Sequence, residues 1–273
     1  MGSEMCIRDS FIIMLYVFLS HDVDWSRRGP GVGHVLARCD RFEGWVVERV
    51  LREGFNPYFN VPDVMDVEEG FGVRSTFFFR PVYDDGLDVS CYGDVIRDLV
   101  SGGWEVGVHV NDASSVESLV NEKRVVEGVS GVGVVGCRVH YLRVCVDDYW
   151  MFREAGFRYD SSLKVFRDRI DVADMGYRFI HGVLVFPITI MDAYLFTYMR
   201  VPEDRVVRVV EGAIDLALRH DKKVLTILWH DCSLKMRGGR MYGRVVEMLA
   251  SRDDVRVVRG VDLLRIVEAG GFD

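Results

Sequence analysis

Apolar residues in this chain fall into short runs with amphipathic stretches between them. The most apolar run, Phe11 to Phe18, is too short for a helix or a bilayer span. It predicts a buried strand that continues into Leu19-Ser20-His21-Asp22-Val23-Asp24-Trp25. A second very apolar run, Val224 to Trp229, also ends in polar residues, His230-Asp231. Shorter strands are predicted over 75–79, 104–111, 136–143, 157–160 and 255–258, with an irregular strand region over 176–200. Helical spacing occupies 40–53, 62–69, 92–102, 114–128, 147–155, 203–220 and 240–250, and resumes at 261. Gly54, Gly102-Gly103 and Gly156 supply helix stop signals. Strand–helix alternation without a repeat or a composition break predicts one α/β domain around a parallel sheet, either a barrel or a doubly wound layer.

Side chains alternate along a strand, so Asp22 and Asp24 share one face while His21 and Val23 take the other. In the third strand Val106, Val108 and Val110 oppose Gly107, His109 and Asn111. Polar residues thus recur where strands end: Asp22/Asp24, His109/Asn111, Arg138/His140 and His230/Asp231. In a (β/α) barrel those C-terminal ends form the site face. Together they supply a carboxylate base, metal-type ligands, a cation and a further His, a set suited to metal-assisted hydrolysis. A buried structural role is the competing reading for any one of them taken alone.

Composition narrows the partners. A net charge of −8 over 273 residues argues against nucleic acid. The six Cys (6, 39, 91, 137, 145, 232) form no CxxC pair and no disulfide spacing, which suggests free thiols in a reducing compartment. Met5-Cys6-Ile7-Arg8-Asp9-Ser10 looks like translated adapter sequence, so residues 1–10 are expected to be non-native and the catalytic domain to occupy 11–273. The apolar run after Arg8 lacks a small-residue cleavage site. The chain is therefore expected to be cytoplasmic, with no membrane span and with its oligomeric state open.

Read in order, these motifs resemble the polysaccharide deacetylase family, the carbohydrate esterases of the NodB homology type, from about Phe11 to Val267. The likeness is greatest to a divergent branch with a His-Asp-Val-Asp first motif. Ser75-Thr76-Phe77-Phe78-Phe79 matches the family's (A/S)TFF strand, Glu105 to His109 its second motif, and Ile227 to Asp231 its last. Arg138 stands for the motif-three Arg, and the segments Arg138–Arg143, Tyr159–Leu163 and Pro187–Leu195 resemble the divergent branch.

The resemblance implies a single-domain α/β fold, a distorted (β/α)7-type barrel. It also implies a hydrolase of carbon–nitrogen bonds that removes an acyl group, N-acetyl above all, from a sugar or a sugar-containing precursor. It makes Asp22 the base, oriented by Arg138, and His230 the general acid, oriented by Asp160. Asp24 and His109 become ligands of a divalent metal, with zinc the expected ion. The second His of the usual HxxxH motif is replaced by Ala113, so His140 is the expected third ligand. Arg143, Asp160, Trp229 and Asp192 are expected to contact substrate, with Trp25 beside them, while His34, His181 and His220 are expected to be structural. Two other readings remain open at this stage. One is a metal-independent amidohydrolase of a small non-sugar amide. The other is a catalytically silent carbohydrate-binding relative.

Overall fold

The computed structural model describes residues 14–272; the expected non-native segment, residues 1–10, lies outside them. The strands are β1 (Leu15–Val23), β2 (Thr76–Phe79), β3 (Glu105–Val110), β4 (Gly136–Val139), β5 (Tyr159–Asp160), β6 (Arg178–Ile180), β7 (Val183–Val185), β8 (Ile190–Met191), β9 (Val224–Leu228) and β10 (Val255–Val258). The helices are α1 (Val32–Leu36), α2 (Gly44–Glu53), α3 (Val61–Gly70), α4 (Gly93–Ser101), α5 (Val116–Ser130), α6 (Tyr149–Glu154), α7 (Asp192–Thr197), α8 (Val206–Arg219), α9 (Tyr242–Ala250) and α10 (Gly260–Glu268). None is long and apolar enough to cross a membrane.

One sheet runs β6-β7-β5-β4-β3-β2-β1-β9-β8, with β10 paired to the lower half of β1. All these pairings are parallel except the β6–β7 hairpin. β7 and β8 are two parts of one stretch of chain, the first paired with β5 and the second with β9. Between them Phe186 N–H donates to Asp160 O, Ile188 N–H to Leu163 O and Thr189 N–H to Thr226 O. The sheet therefore curls until the chain itself joins its two ends, giving the distorted (β/α) barrel. Its members are β1 to β5, the interrupted β7–β8 strand, and β9. The irregular region expected over 176–200 is this closing segment.

Two apolar layers hold the curl. Outward-facing Val17, Leu19, Val23, Phe77, Phe79, Val106, Val108 and Ile227 pack against the helices. Inward-facing Phe18, Phe78, Tyr159, Leu184 and Phe186 fill the lower barrel, which Leu263 and Leu264 of α10 close from below. The interior has no spare room. A Cβ on Gly107 would stand 2.5 Å from the Phe78 ring, and one on Gly136 would stand 2.0 Å from Tyr159. The outward face of β1 also carries His21, fully buried, with Nδ1 donating to Trp229 O at 2.6 Å and Nε2 against Glu68 at 2.8 Å.

Where the sequence spacing predicts one helix over 40–53, a 3-10 turn at Cys39–Arg41 precedes α2, which ends at Gly54 in the left-handed conformation. The cysteines among the described residues are all free.

Asp231, 1 % exposed, receives only the Asn60 backbone N–H on one carboxyl oxygen, and the other oxygen has no partner. Burial pushes its pKa up to about 8 from 3.8. The unfolded chain ionises Asp231 near 3.8, so between about pH 4 and 8 the folded state holds the extra proton and stability falls as pH rises. Asp231→Asn is expected to flatten that slope. Urea unfolding at pH 5 and pH 8 should show wild type losing more stability than the variant, and equal losses would contradict the assignment.

Candidate active site

The alternation of β1 places Phe18, Ser20, Asp22 and Asp24 in one inward column. Phe18 lies in the apolar plug and Asp24 at the mouth. The inward residues of the neighbouring strands, His109, Arg138 and His230, reach the same mouth level, and there the candidate site forms.

Arg138 is fully buried at its base. Its Nη1 donates to Asp22 Oδ1 at 2.8 Å, Nη2 to Ser20 and Ser161 hydroxyls at 2.9 Å each, and Nε to Ser161 O at 2.7 Å. The Phe78 ring lies 4.6 Å below the guanidinium. This cradle fixes both the cation and the carboxylate. Burial pushes the Asp22 carboxyl up, but Arg138, with His109 and His230, outweighs it and holds Asp22 below the usual carboxylate range.

At the rim, one ligand atom each from Asp24, His109 and His140 lies within 4.8 Å of the others. His109 Nδ1 donates to Arg138 O at 2.9 Å, which turns Nε2 toward Asp24 Oδ1 at 3.1 Å. His140 Nε2 stands 3.7 Å from the same oxygen. Tetrahedral ligands at zinc distances are separated by about 3.3 Å, so two imidazoles and a carboxylate at these spacings fit a divalent cation. The His109–carbonyl bond is the usual support for a ligating His. Burial and the neighbouring His109 push His140 down to about 4, leaving its imidazole neutral, as a ligand must be. Asp24 is held far below the carboxylate range despite its burial, by the hydrogen bond from His109 and the nearby His230. The predicted strand over 136–143 ends at Val139. Tyr141 and Leu142 take positive φ (59° and 55°), so His140 heads a turn at the rim of the site.

On the opposite wall, His230 Nδ1 donates to Asp192 Oδ1 at 2.6 Å, and its Nε2 faces Asp24 Oδ2 at 3.7 Å. Asp192 also accepts from the Ser233 hydroxyl (2.5 Å) and the His230 backbone N–H (3.1 Å). Burial lowers the His230 pKa, but the Asp192 carboxylate reverses this and lifts it to about 10. Asp22 and Asp24 act in the same direction.

No protein-family model matches the chain, and no curated protein matches it. Solved structures do. A polysaccharide deacetylase from Mycobacterium smegmatis, described as putative, superposes with a TM-score of 0.67 at 19 % identity, over 94 % of this chain and 91 % of that one. A probable polysaccharide deacetylase from Pseudomonas aeruginosa PAO1 gives 0.63 at 18 % identity, over 96 % and 94 %. The chain has the polysaccharide deacetylase fold. An allantoinase shares it, with a TM-score of 0.65 at 18 % identity over 95 % and 92 % of the two chains.

Within this deacetylase fold, several expected residues sit elsewhere than the sequence reading placed them. Asp160 does not reach His230. Tyr159 points inward, so Asp160 points outward, where its carboxylate accepts from Tyr149 (2.6 Å) and Ser162 (2.5 Å). Asp192 orients His230 in its place. Trp229 is one residue out of phase with His230 for the same reason. It is fully buried on the outer face, its indole N–H donating to Gly239 O at 3.1 Å, and cannot stack on a ligand.

Arg143 is exposed and borders a second cavity of about 410 Å³, which Ala113, Arg80 and the site residue His140 also line. Asn111 is occupied by Arg80 and by Val82 O, so it is not a ligand. His34, expected to be structural, lines the cavity beside His230 together with Trp25. Ser20 and Ser161 escaped the sequence reading altogether. Their signal was available, since Ser20 lies in register with Asp22 and Ser161 directly follows a strand end.

Proposed function

We propose that this chain is a metal-assisted hydrolase that removes an acyl group, N-acetyl above all, from a sugar or sugar-containing precursor. One observation carries the reading. A buried Asp–Arg pair, an Asp-His-His cluster and a carboxylate-bound His, drawn from the ends of β1, β3, β4, β8 and β9, converge on one mouth. Polysaccharide deacetylases are among the structures that share its fold, and the donor set is the kind that hydrolases of this class require.

Asp24, His109 and His140 would hold the cation, which when bound supplies Lewis acidity toward the acyl carbonyl. Asp22, ionised and aimed by Arg138, accepts the proton of the attacking water. Its depressed pKa costs basicity but keeps the carboxylate available at neutral pH. His230 keeps Nδ1–H on Asp192 and presents Nε2–H to the leaving nitrogen, so the amine departs protonated as the C–N bond breaks.

Three measurements test this. Purified full-length protein supplied with zinc should release acetate from an N-acetylated sugar panel. Release from none of the panel would overturn the reading, and activity confined to non-sugar amides would replace it with the amidohydrolase alternative. His140→Ala should lower zinc affinity by roughly 100-fold or more in a chelator competition. Unchanged affinity would remove His140 from the ligand set. Asp192→Asn should cut kcat by about 10–100-fold with KM nearly unchanged, because it removes the carboxylate that aims the acid. An equal loss through KM would argue for a substrate contact instead.

A further inference from the structure

The cavity that opens from Asp24, Asp192 and His230 has a volume of about 600 Å³ and runs toward Arg38 and Arg41. We propose that this end binds an anionic substituent of the substrate, phosphate or carboxylate, through the two guanidinium groups with the Tyr58 hydroxyl as a neutral donor. The proposal rests on the acyl-sugar reading above and specifies its substrate class.

Three observations point there. First, Arg38 and Arg41 have no carboxylate partner among the described residues, whereas Arg237, which lines the same cavity, reaches Glu43. Arg38 makes only a 3.5 Å contact to His34 O. Asp40 borders the same cavity and pairs with neither arginine, so a ligand anion meets two cations and one carboxylate there. Unpaired guanidinium groups lining a cleft of an acidic protein, net charge −8, are an anion site by their chemistry.

Second, Tyr58 is 3 % exposed, lines this cavity, and its buried hydroxyl has no hydrogen-bond partner. A buried hydroxyl without an acceptor is costly, and an oxyanion is the acceptor it lacks. Burial pushes the phenol up to about 12, so it stays a neutral donor.

Third, the loop is anchored. Phe42 bridges to Met236, and Arg237 N–H donates to Arg41 O at 2.7 Å, tying the arginine loop to the loop that follows His230. Trp25, His34 and Tyr58 line the same cavity and pack edge to face on one another, with ring centroids 5.0, 5.6 and 5.4 Å apart. An aromatic cluster of this kind is a rest for the apolar face of a sugar ring.

The test is calorimetric binding to the full-length Asp22→Asn protein, with N-acetylglucosamine 1-phosphate, N-acetylglucosaminuronate and neutral N-acetylglucosamine as probes. At least one charged sugar should bind about 10–100-fold tighter than the neutral one, as charge-assisted hydrogen bonds do. Which one does so identifies the anion. Adding Arg38→Gln and Arg41→Gln should erase the advantage, and adding Tyr58→Phe, an isosteric change, should reduce it by about 2–10-fold. Charged sugars that bind no tighter than the neutral one, or an advantage that survives the double arginine change, overturn the proposal. Binding is read without turnover, so a chain that deacetylates nothing can still satisfy this test. Conversely, deacetylation of neutral sugars without any charge preference would sink this inference alone.

Discussion

Replacing Asp22 by Asn is expected to lower kcat on an N-acetylated sugar by about 10²–10⁴-fold, the range set by loss of a positioned general base. The substitution keeps an oxygen in front of Arg138 Nη1 and keeps the column of inward residues filled, so the barrel should still form. It removes the charge that Arg138 neutralises, and some loss of Tm accompanies it. Zinc binding separates the roles of the two Asp residues. Asp22→Asn should bind metal much as wild type does, because the ligand set is Asp24, His109 and His140. Turnover that survives Asp22→Asn in a folded, metal-loaded protein would refute the mechanism, and loss of metal in that variant would show that Asp22 belongs to the ligand set.

The largest stability effect is expected at Arg138. Arg138→Met strips four hydrogen bonds from a fully buried guanidinium and leaves Asp22, 3 % exposed, ionised without its cation. Breaking a buried pair from one side costs about 3–5 kcal/mol. For a chain of this size that corresponds to a fall in Tm of roughly 10 °C. The double variant Asp22→Asn/Arg138→Met should fall by less than the two single losses together, because the penalty of each single change lies partly in the partner left behind. Additive losses by differential scanning calorimetry would show that the two residues are not coupled.

Both effects follow from one column of side chains, and that column was legible in the sequence. Alternation along Phe18-Leu19-Ser20-His21-Asp22-Val23-Asp24 assigns Asp22 and Asp24 to one face and His21 to the other, and the fold keeps that assignment. The same rule, carried through the other strands, would have turned Asp160 and Trp229 outward. Tyr159 and His230 take the inward positions beside them. Those expectations followed motif resemblance instead of strand phase, and the phase prevailed because a one-residue slip would exchange core and cavity faces.

The α/β class, the recurrence of polar residues at strand ends and the face of β1 that Asp22 and Asp24 share are all written in the local pattern of the chain. Local periodicity sets element type and side-chain facing, and those features need nothing more. Which carboxylate holds His230 depends on barrel closure, since Asp192 and His230 come from strand ends that meet where the closing β7–β8 stretch lies against β9. The tertiary structure also brings His140 to Asp24, through the positive-φ turn at Tyr141 and Leu142. The arginine loop likewise comes to face the cavity beside His230, where the Phe42–Met236 bridge and the Arg237 N–H to Arg41 O bond hold it. Contacts of this kind depend on how strands close a barrel and on how loops fall across its mouth, and no spacing along one segment encodes that distance.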